Sequence, residues 1–312
     1  MNLFDNKHIS PMLIGANGDA FDSTDYIYET KWDGERCIAY LDPMAETDLR
    51  NKRNVKMLSK VPELSNIHKQ IRSRCILDGE LMILKDGKPN FYEIQKRSIM
   101  SNKFKIDMLS RQYPATFIAF DILFYKDKDL SLLPVIQRKK YLSKAIFFES
   151  DRLALSRYFD GQGVALYNLV KQQGLEGIVA KRKDSIYIQG KRTKDWIKCK
   201  VMTTDDCVVC GYLRKDSNMT SLILGQYDNG ILVYRGHVTL GVSLRLLNQY
   251  RYTVIDFPPF PTPPPGNDSA VWLAPELVCV VESMPTDKDS FRQPVFKGIR
   301  TDKLPEECEV EK

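Results

Sequence analysis

The chain has 312 residues, which is enough for two domains, and its 43% hydrophobic and 28% charged residues exclude a disordered protein. The net charge of +6 permits a polyanionic partner without requiring one. The N-terminus lacks the apolar stretch of a signal peptide, and the apolar runs are too short to span a membrane. We therefore expect a cytoplasmic protein in which the seven cysteines are reduced.

The first strand signals surround a lysine. Alternating apolar residues predict one strand at 26–28 and another at 37–40, and Asp33-Gly34 between them is a signal for a tight turn. Lys31 is therefore expected at a strand end beside that turn. Such a lysine belongs either to a charged hairpin tip or to a positioned nucleophile, and the rest of the chain must decide between them.

Apolar periodicity predicts a mixture of strands and helices up to residue 200. The predicted strands cover 74–84, 115–125, 174–183 and 195–200, and the predicted helices cover 64–72, 92–100, 135–145 and 163–173. We expect this α+β arrangement of antiparallel sheets and flanking helices to form a domain over residues 1–200.

The pattern changes after residue 200. Short strands with Gly and Asn-Gly turns, and one helical stretch at 243–251, predict a small antiparallel barrel over residues 201–312. Cys207 and Cys210 form a Cys-x-x-Cys pair, which is found at zinc and redox sites. No second Cys or His pair stands at zinc spacing, so we interpret this pair as part of a buried strand.

Charged residues recur inside apolar strands of the first 200 residues. Such groups are costly to bury unless they are paired or bound to a metal. The carboxylates are Asp78, Glu80, Asp121 and Glu176, and the lysines are Lys31, Lys181, Lys198 and Lys200. If these strands converge on one cleft, the cleft combines cations that bind phosphate with carboxylates that bind Mg²⁺.

That combination suits a nucleoside triphosphate, yet the sequence has no Gly-rich phosphate-binding motif. Side chains would therefore hold the phosphates, and Lys31 would attack the α-phosphate to form a lysine–nucleotide bond. Lys198 and Lys200 lie two apart on one predicted strand, so both face the α-phosphate and favour the neutral form of the nucleophile. Glu80 and Glu176 are the candidate metal ligands.

The sequence "KWDGER" resembles the Lys-x-Asp-Gly motif of covalent nucleotidyltransferases, a superfamily of DNA ligases, RNA ligases and capping enzymes. Further blocks follow in the order of that superfamily, namely "LRN", "LDGEL", "AFDIL", "EGIVAKR", "WIKCK" and "RTDK". The "SPMLIG", "DSIYIQGKRTKDWIKCK" and "FRQPVFKGIRTDKLPEE" segments most resemble the ligase module of bacterial ATP-dependent DNA ligase D. The resemblance covers nearly the whole chain.

The resemblance implies a role for each residue around the nucleotide. Lys31 would become adenylylated, Glu29 would read the adenine, and Phe120 would stack on it. Arg36 and Arg50 would contact the ribose, a phosphate or the DNA 5′-phosphate.

Other roles concern the phosphates and the metal. Glu80 would contact the ribose or the metal, and Glu176 would help to bind the metal, which is Mg²⁺ or Mn²⁺. Lys198 and Lys200 would hold the α-phosphate. Lys181 would belong to the ATP-binding set.

For residues 201–312 the resemblance implies an OB-fold. Arg300 and Lys303 in this domain would orient the pyrophosphate leaving group during the first step. The family alternates between an arrangement that clamps DNA and one that brings these cations to ATP. We expect no separate DNA-binding domain ahead of the catalytic domain, and no polymerase or phosphoesterase module.

The implied activity is sealing of 5′-phosphate/3′-hydroxyl breaks in nicked or broken duplex DNA, in end joining or other repair. We expect a monomer, no membrane partner, and a Ku-type end-binding protein as recruiting partner. Residues 181–200 hold eight Lys or Arg against two Asp, interleaved with Tyr187 and Trp196, and we expect part of this run to contact the phosphate backbone.

Two alternatives remain open. An RNA ligase or a GTP-using capping enzyme shares the motifs and would be distinguished by its nucleotide. A non-catalytic nucleic-acid-binding module on the same fold would tolerate the loss of Lys31, Glu176 or Lys198.

Overall fold

The computed structural model describes residues 2–85, 87–214, 219–262, 264–286 and 288–310. The chain divides into two units, residues 1–200 and 201–312.

Two sheets form the first unit. Its strands are β1 (Leu13–Asn17), β2 (Tyr26–Thr30), β3 (Glu35–Leu41), β4 (Thr47–Asn51), β5 (Cys75–Lys85), β6 (Lys88–Pro89), β7 (Ala115–Tyr125), β8 (Lys128–Asp129), β9 (Leu153–Leu155), β10 (Tyr158–Asp160), β11 (Gly177–Arg182) and β12 (Arg192–Lys200). One sheet has the order β1-β12-β11-β2-β10, and the other has β4-β3-β5-β7-β8 with β6 and β9 at its sides. The strands predicted at 74–84 and 115–125 are confirmed as β5 and β7, which pair antiparallel.

The helices of this unit are α1 (Leu3–Asn6), α2 (Phe91–Ile99), α3 (Lys103–Gln112), α4 (Val135–Ala145) and α5 (Gly163–Gln172). The predictions at 92–100, 135–145 and 163–173 are confirmed as α2, α4 and α5. The α-helix predicted at 64–72 is wrong, because the chain there makes two 3₁₀ turns, Pro62–Leu64 and Ile67–Gln70. Ser65 and Asn66 separate these turns, and such residues favour local turns over helix interiors.

The core lies on both faces of the β5–β7 sheet. Ile76 and Phe124 pack toward Val179 and Trp196 of the other sheet. On the opposite face, buried residues of β5 and β7 pack with those of α2 and α4. Successive side chains of β5 and β7 point to opposite faces of the sheet, so each face carries an apolar layer. The functional side chains lie at the edge of the layer between the two sheets.

Lys31, Trp32, Asp33 and Gly34 connect the two sheets. The prediction of a tight hairpin turn at Asp33-Gly34 is wrong, because β2 pairs with β10 and β11 whereas β3 pairs with β4 and β5. Turn residues mark a change of chain direction, but they do not determine which strands pair. A Cβ on Gly34 would lie 2.2 Å from the Leu81 carbonyl oxygen, so glycine allows the crossing segment to approach β5.

In the second unit the strands are β13 (Thr203–Arg214), β14 (Thr220–Asp228), β15 (Ile231–Val238), β16 (Val254–Ile255), β17 (Val271–Leu273), β18 (Val278–Met284) and β19 (Arg292–Arg300). They form one antiparallel sheet in which β13 pairs with β14, β17 and β18. The β14–β15 hairpin turns at Asn229 and Gly230, both with positive φ, as the Asn-Gly signal predicts. The helix expected at 243–251 is shorter, with α6 covering Leu244–Leu247.

Cys207 and Cys210 are buried within β13, and all seven cysteines are free. Burial raises the pKa of each of these two thiols above its ordinary range, which disfavours the thiolate that metal binding or redox exchange needs. Among the described residues, no helix is long and apolar enough to cross a membrane.

Candidate active site

Lys31 is fixed at the end of β2 by contacts with the start of β11. Its backbone N–H donates to the Gly177 carbonyl oxygen at 2.8 Å. Its Nζ donates to Glu176 Oε2 at 2.5 Å, and 21% of its side chain is exposed. The predicted strand-end position of Lys31 is therefore observed, with a carboxylate in contact with the amine.

Glu176 also faces a second lysine. Lys200 Nζ lies 3.9 Å from Glu176 Oε1, and β12 pairs with β11 so that Lys200 lies opposite Gly177 and Lys198 opposite Val179. Residues two apart on a strand share a face, so Lys198 and Lys200 point to the same side of the sheet. The predicted pair of lysines thus lies on one side of β12, and Lys200 reaches the acid that contacts Lys31.

Glu80 on β5 is the second acid of the site. Its pKa is raised to about 8, because burial and the charges of Asp78 and Glu176 outweigh the opposing charges of Arg36 and Lys31. Two carboxylate side chains that repel each other beside an open pocket suit a hard cation, which prefers oxygen ligands. Among the described residues no group of three or more His, Cys, Asp or Glu gathers for a metal.

A pocket opens beside Lys31. The residues lining it are Ile14, Glu29, Thr30, Lys31, Trp32, Arg36, Glu80, Phe120, Val179, Lys181 and Trp196. Six of these, namely Glu29, Lys31, Arg36, Glu80, Phe120 and Lys181, were predicted from the sequence to bind ATP. The lining combines aromatic rings and Val179 with charged groups, and Phe120 and Trp196 meet edge to face at 83°. Apolar walls with a few polar groups are the composition expected of a nucleotide pocket.

The aromatic rings of the pocket also contact cations. Lys181 Nζ lies 4.6 Å from the centre of the Phe120 ring and 4.4 Å from that of Trp196. The Arg36 guanidinium lies 4.4 Å from the centre of the Phe120 ring. Arg36 therefore occupies a face of the ring that the sequence predicts to stack on adenine.

Asp78 holds Arg36 in this position. Arg36 Nε and Nη2 donate to the two Asp78 carboxylate oxygens at 2.6 Å each, and the Tyr187 hydroxyl donates to Asp78 Oδ2 at 2.6 Å. Although burial disfavours the charged form of Arg36, the Asp78 carboxylate raises the Arg36 pKa. Asp78 is fully buried, so its observed role is to fix Arg36.

Two predicted sets lie away from the pocket lining. Arg50 on β4 is held by Asp48, with Arg50 Nη2 3.1 Å from Asp48 Oδ2. In the second unit, Arg300 Nη1 and Lys303 Nζ each donate to Asp206 Oδ2 at 2.7 Å. Asp206 thus brings together the two cations that the sequence predicts to act on pyrophosphate.

The aromatic residues of the basic run 181–200 belong to the core. Tyr187 is 3% exposed and Trp196 is 1% exposed, because both side chains pack between the two sheets. The predicted contact of this run with the phosphate backbone therefore depends on its charged residues. Lys191, Arg192 and Lys194 remain exposed.

Sequence reasoning missed Lys139, a buried lysine on α4. Its Nζ lies 2.7 Å from Glu29 Oε1, and both side chains are 2% exposed. A signal exists in the sequence, because Lys139 follows Val135 by four positions and precedes Leu142 by three, which places it on the apolar face of the helix.

Comparisons with known proteins agree with this arrangement. The family described as "ATP dependent DNA ligase domain" matches residues 14–200, and "ATP dependent DNA ligase C terminal region" matches 215–303. The multifunctional non-homologous end joining DNA repair protein LigD of Mycobacterium tuberculosis is 28% identical over 319 residues, covering 98% of this chain and 40% of LigD. DNA ligase C of the same organism is 30% identical over 336 residues, covering 96% of this chain and 92% of that protein.

Solved structures give the same result. A mycobacterial DNA ligase D complexed with ATP and MES aligns over 100% of both chains with 26% identity and a TM-score of 0.57. The ligase domain of M. tuberculosis LigD aligns over 100% of both chains with 26% identity and a TM-score of 0.56. The fold is therefore a nucleotidyltransferase domain followed by an OB-fold domain, which confirms the predicted fold class.

The site built around Lys31 lies in a fold of the covalent nucleotidyltransferase class. Within that class, the chain belongs to the ATP-dependent DNA ligase family. It spans about 40% of the length of the LigD relatives that it matches.

Proposed function

We propose that this chain is an ATP-dependent DNA ligase module that seals 5′-phosphate/3′-hydroxyl breaks through a lysyl-AMP intermediate. The observation that carries this proposal is the contact of Lys31 Nζ with Glu176 at 2.5 Å, at the edge of a pocket with aromatic and charged walls. Residues 1–200 form the nucleotidyltransferase domain and residues 201–312 the OB-fold domain.

In the first step Lys31 Nζ attacks the α-phosphorus of ATP. A phosphorus–nitrogen bond forms, the bond to the bridging oxygen of the β-phosphate breaks, and pyrophosphate leaves. Lys31 must lose a proton before the attack, and the Glu176 carboxylate is an acceptor already in contact. Lys198 and Lys200 stabilise the negative charge that develops on the α-phosphate.

The adenosine lies in the lined pocket, with its base against Phe120. Arg36 is held by Asp78 beside the Phe120 ring, and its guanidinium serves the ribose or a phosphate. Glu29 accepts a hydrogen bond from the base. Arg50 contacts a phosphate of the nucleotide or the 5′-phosphate of the DNA.

Glu80 and Glu176 would hold Mg²⁺ or Mn²⁺, and the bound ion would neutralise negative charge on the phosphates. The raised pKa of Glu80 fits this role, because a buried carboxyl beside a second acid gains from a neighbouring cation. The remaining ligand positions would be filled by oxygen atoms that the protein does not supply.

The later steps transfer AMP to the DNA. An oxygen of the 5′-phosphate attacks the phosphorus of lysyl-AMP, which breaks the bond to Lys31 and forms an adenylylated DNA end. The 3′-hydroxyl then attacks the 5′-phosphorus, and AMP leaves. Arg300 and Lys303 act only in the first step, on the pyrophosphate.

The substrate is nicked or broken duplex DNA, and the module works in end joining or other repair. The LigD relative carries non-homologous end joining in its name, which supports this setting. We further propose that the chain acts as a monomer in the bacterial cytoplasm at the nucleoid. A Ku-type protein would bring it to DNA ends.

Sealing of defined substrates tests the proposal. Purified protein is incubated with ATP and Mg²⁺ on three 5′-labelled duplexes, namely a nicked DNA, a blunt-ended DNA and a nick with an RNA 3′-hydroxyl strand. We expect joined product from the nicked DNA, none from Lys31→Ala, and wild-type yield from Lys144→Ala, an exposed lysine remote from the pocket lining. Product from the RNA-containing substrate alone would reassign the enzyme to RNA.

A further inference from the structure

We infer that Lys139 is a positioning residue that selects adenine, because it holds the Glu29 carboxylate ready to accept a hydrogen bond from the 6-amino group of the base. The inference rests on the proposed use of ATP and assigns a role to a residue on α4, outside the motifs that resemble the ligase family.

The geometry places one carboxylate between two ammonium groups. Glu29 Oε1 lies 2.7 Å from Lys139 Nζ and 2.8 Å from Lys181 Nζ. All three side chains are buried, with 2% to 3% exposed. A buried carboxyl group is costly unless opposite charges lie this close, and its oxygens accept hydrogen bonds.

The wider cluster carries an excess of positive charge. Asp121 on β7 forms a two-pronged salt bridge with Arg138, whose Nε and Nη2 donate to the two carboxylate oxygens at 2.8 Å each. Lys139 thus faces Glu29, Lys181, Asp121 and the ring of Tyr158. The cluster holds two acids, Glu29 and Asp121, against three cations, Lys139, Lys181 and Arg138. Burial and the charge of Lys181 lower the pKa of Lys139 to about 8 against the opposing effect of Glu29.

The Glu29 carboxylate retains capacity to accept a hydrogen bond. Both of its oxygens are buried, and the two ammonium contacts leave them without a well-directed hydrogen bond among the described residues. Glu29 also lines the pocket formed by Phe120 and Trp196. A buried acceptor that shares a pocket with an aromatic ring suits a planar ligand that carries a donor, which is what the 6-amino group of adenine provides.

Lys139 acts on the nucleotide only through Glu29. It approaches the carboxylate from α4 and is not among the residues that line the pocket, whereas Lys181 lines it and contacts both rings. The first turn of α4 is tied down, since the N–H groups of Val135 and Ile136 donate to the carbonyl oxygens of Ser185 and Lys183. The helix therefore presents Lys139 at a fixed place.

The test compares ATP with purine riboside triphosphate, in which hydrogen replaces the 6-amino group. Adenylylation of Lys31 and equilibrium nucleotide binding are measured for wild type, Lys139→Met, Lys139→Arg and Lys140→Met. For Lys139→Met we expect the KM for ATP to rise about 10- to 100-fold with kcat within about threefold, and the preference for ATP over the analogue to fall below about threefold. Lys139→Arg restores the preference.

Lys140→Met is the matched control, because Lys140 is the next residue of α4 and is exposed. If Lys139→Met fails to fold, Lys139→Gln takes its place, and the same loss of preference is expected. An unchanged preference in a folded Lys139 variant would overturn the inference. So would an equal loss of kcat with both nucleotides accompanied by a lower melting temperature, which would indicate a structural role.

The binding measurement separates this inference from the proposed function. If the wild type binds nucleotide but forms no lysyl-AMP, the ligase proposal fails, and the effect of Lys139 on the preference between the two nucleotides still decides the inference. If the wild type forms lysyl-AMP and the Lys139 variants keep their preference, only the inference fails.

Discussion

Lys31 Nζ and Glu176 Oε2 lie 2.5 Å apart, although 145 positions separate them in sequence. Lys31 directly follows β2, and Glu176 directly precedes β11. These two strands are paired in the sheet, so the end of one lies beside the start of the other. The sheet therefore brings the proposed nucleophile and its nearest acid together without a flexible loop.

Replacing Glu176 tests this pairing. We expect Glu176→Gln to slow single-turnover adenylylation of Lys31 about 100-fold, because the amide keeps the shape but accepts a proton poorly and binds metal weakly. Glu46→Gln, at a side chain that is 73% exposed, should leave the rate unchanged. A Glu176→Gln enzyme with the wild-type rate would remove Glu176 from the first step.

Gly34 tests the geometry of the crossing segment. In Gly34→Ala the new Cβ would lie 2.2 Å from the Leu81 carbonyl oxygen, so Lys31 and Trp32 must shift. We expect the free energy of unfolding to fall by about 1–3 kcal/mol and adenylylation to be lost. The control is Gly18→Ala, whose Cβ would meet only Ile197 Cγ2 at 3.6 Å. Full activity of Gly34→Ala would contradict the observed packing.

Glu80 predicts a pH dependence of metal binding. Its pKa is raised to about 8, so the carboxyl is largely protonated at pH 7 and the metal must displace that proton. We expect the apparent Mg²⁺ affinity in adenylylation to rise about tenfold per pH unit below pH 8 and to level off above it. Lys139 loses its proton over the same pH range, which would weaken ATP binding as the pH rises. The measurement is therefore made at saturating ATP, so that this effect does not enter it.

In Glu80→Gln that pH dependence should disappear, because the amide does not titrate in this range. An apparent Mg²⁺ affinity in the wild type that stays constant from pH 6.5 to 9 would show that Glu80 does not bind the metal.

Arg300 is predicted to act in one step only. We expect Arg300→Ala to slow adenylylation of Lys31 about 100-fold, yet to leave sealing of a pre-adenylylated nick within about threefold, because that step releases no pyrophosphate. Lys297→Ala provides the control, since Lys297 is 46% exposed on the same strand. Equal defects in both steps would indicate instead that Arg300 supports the OB-fold through Asp206.

Local patterns predicted the elements that carry the site. A continuous apolar run predicted the observed bounds of β7, and helical periodicity predicted those of α4. The 64–72 segment failed, because its apolar spacing is helical while Ser65 and Asn66 favour turns. Local sequence also could not indicate that β2 and β3 lie in separate sheets.

The site was predictable where residues lie in recognisable motifs, as at Lys31 and Glu80. Contacts between distant residues were not. Lys139 meets Glu29, and Arg300 meets Asp206, through the packing of separate elements. The aromatic residues Tyr187 and Trp196 are spaced like a binding surface, but only the fold shows that they are core residues.

The most direct measurement of the central claim is covalent labelling. The protein is stripped of bound AMP with pyrophosphate, incubated with Mg²⁺ and α-labelled ATP or α-labelled GTP, and separated on a denaturing gel beside Lys31→Ala. We predict label from ATP alone in the wild type and none in Lys31→Ala. Absence of label in the wild type, or equal label in Lys31→Ala, would contradict the assignment of Lys31 as the nucleophile, and label from GTP alone would assign the chain to capping chemistry.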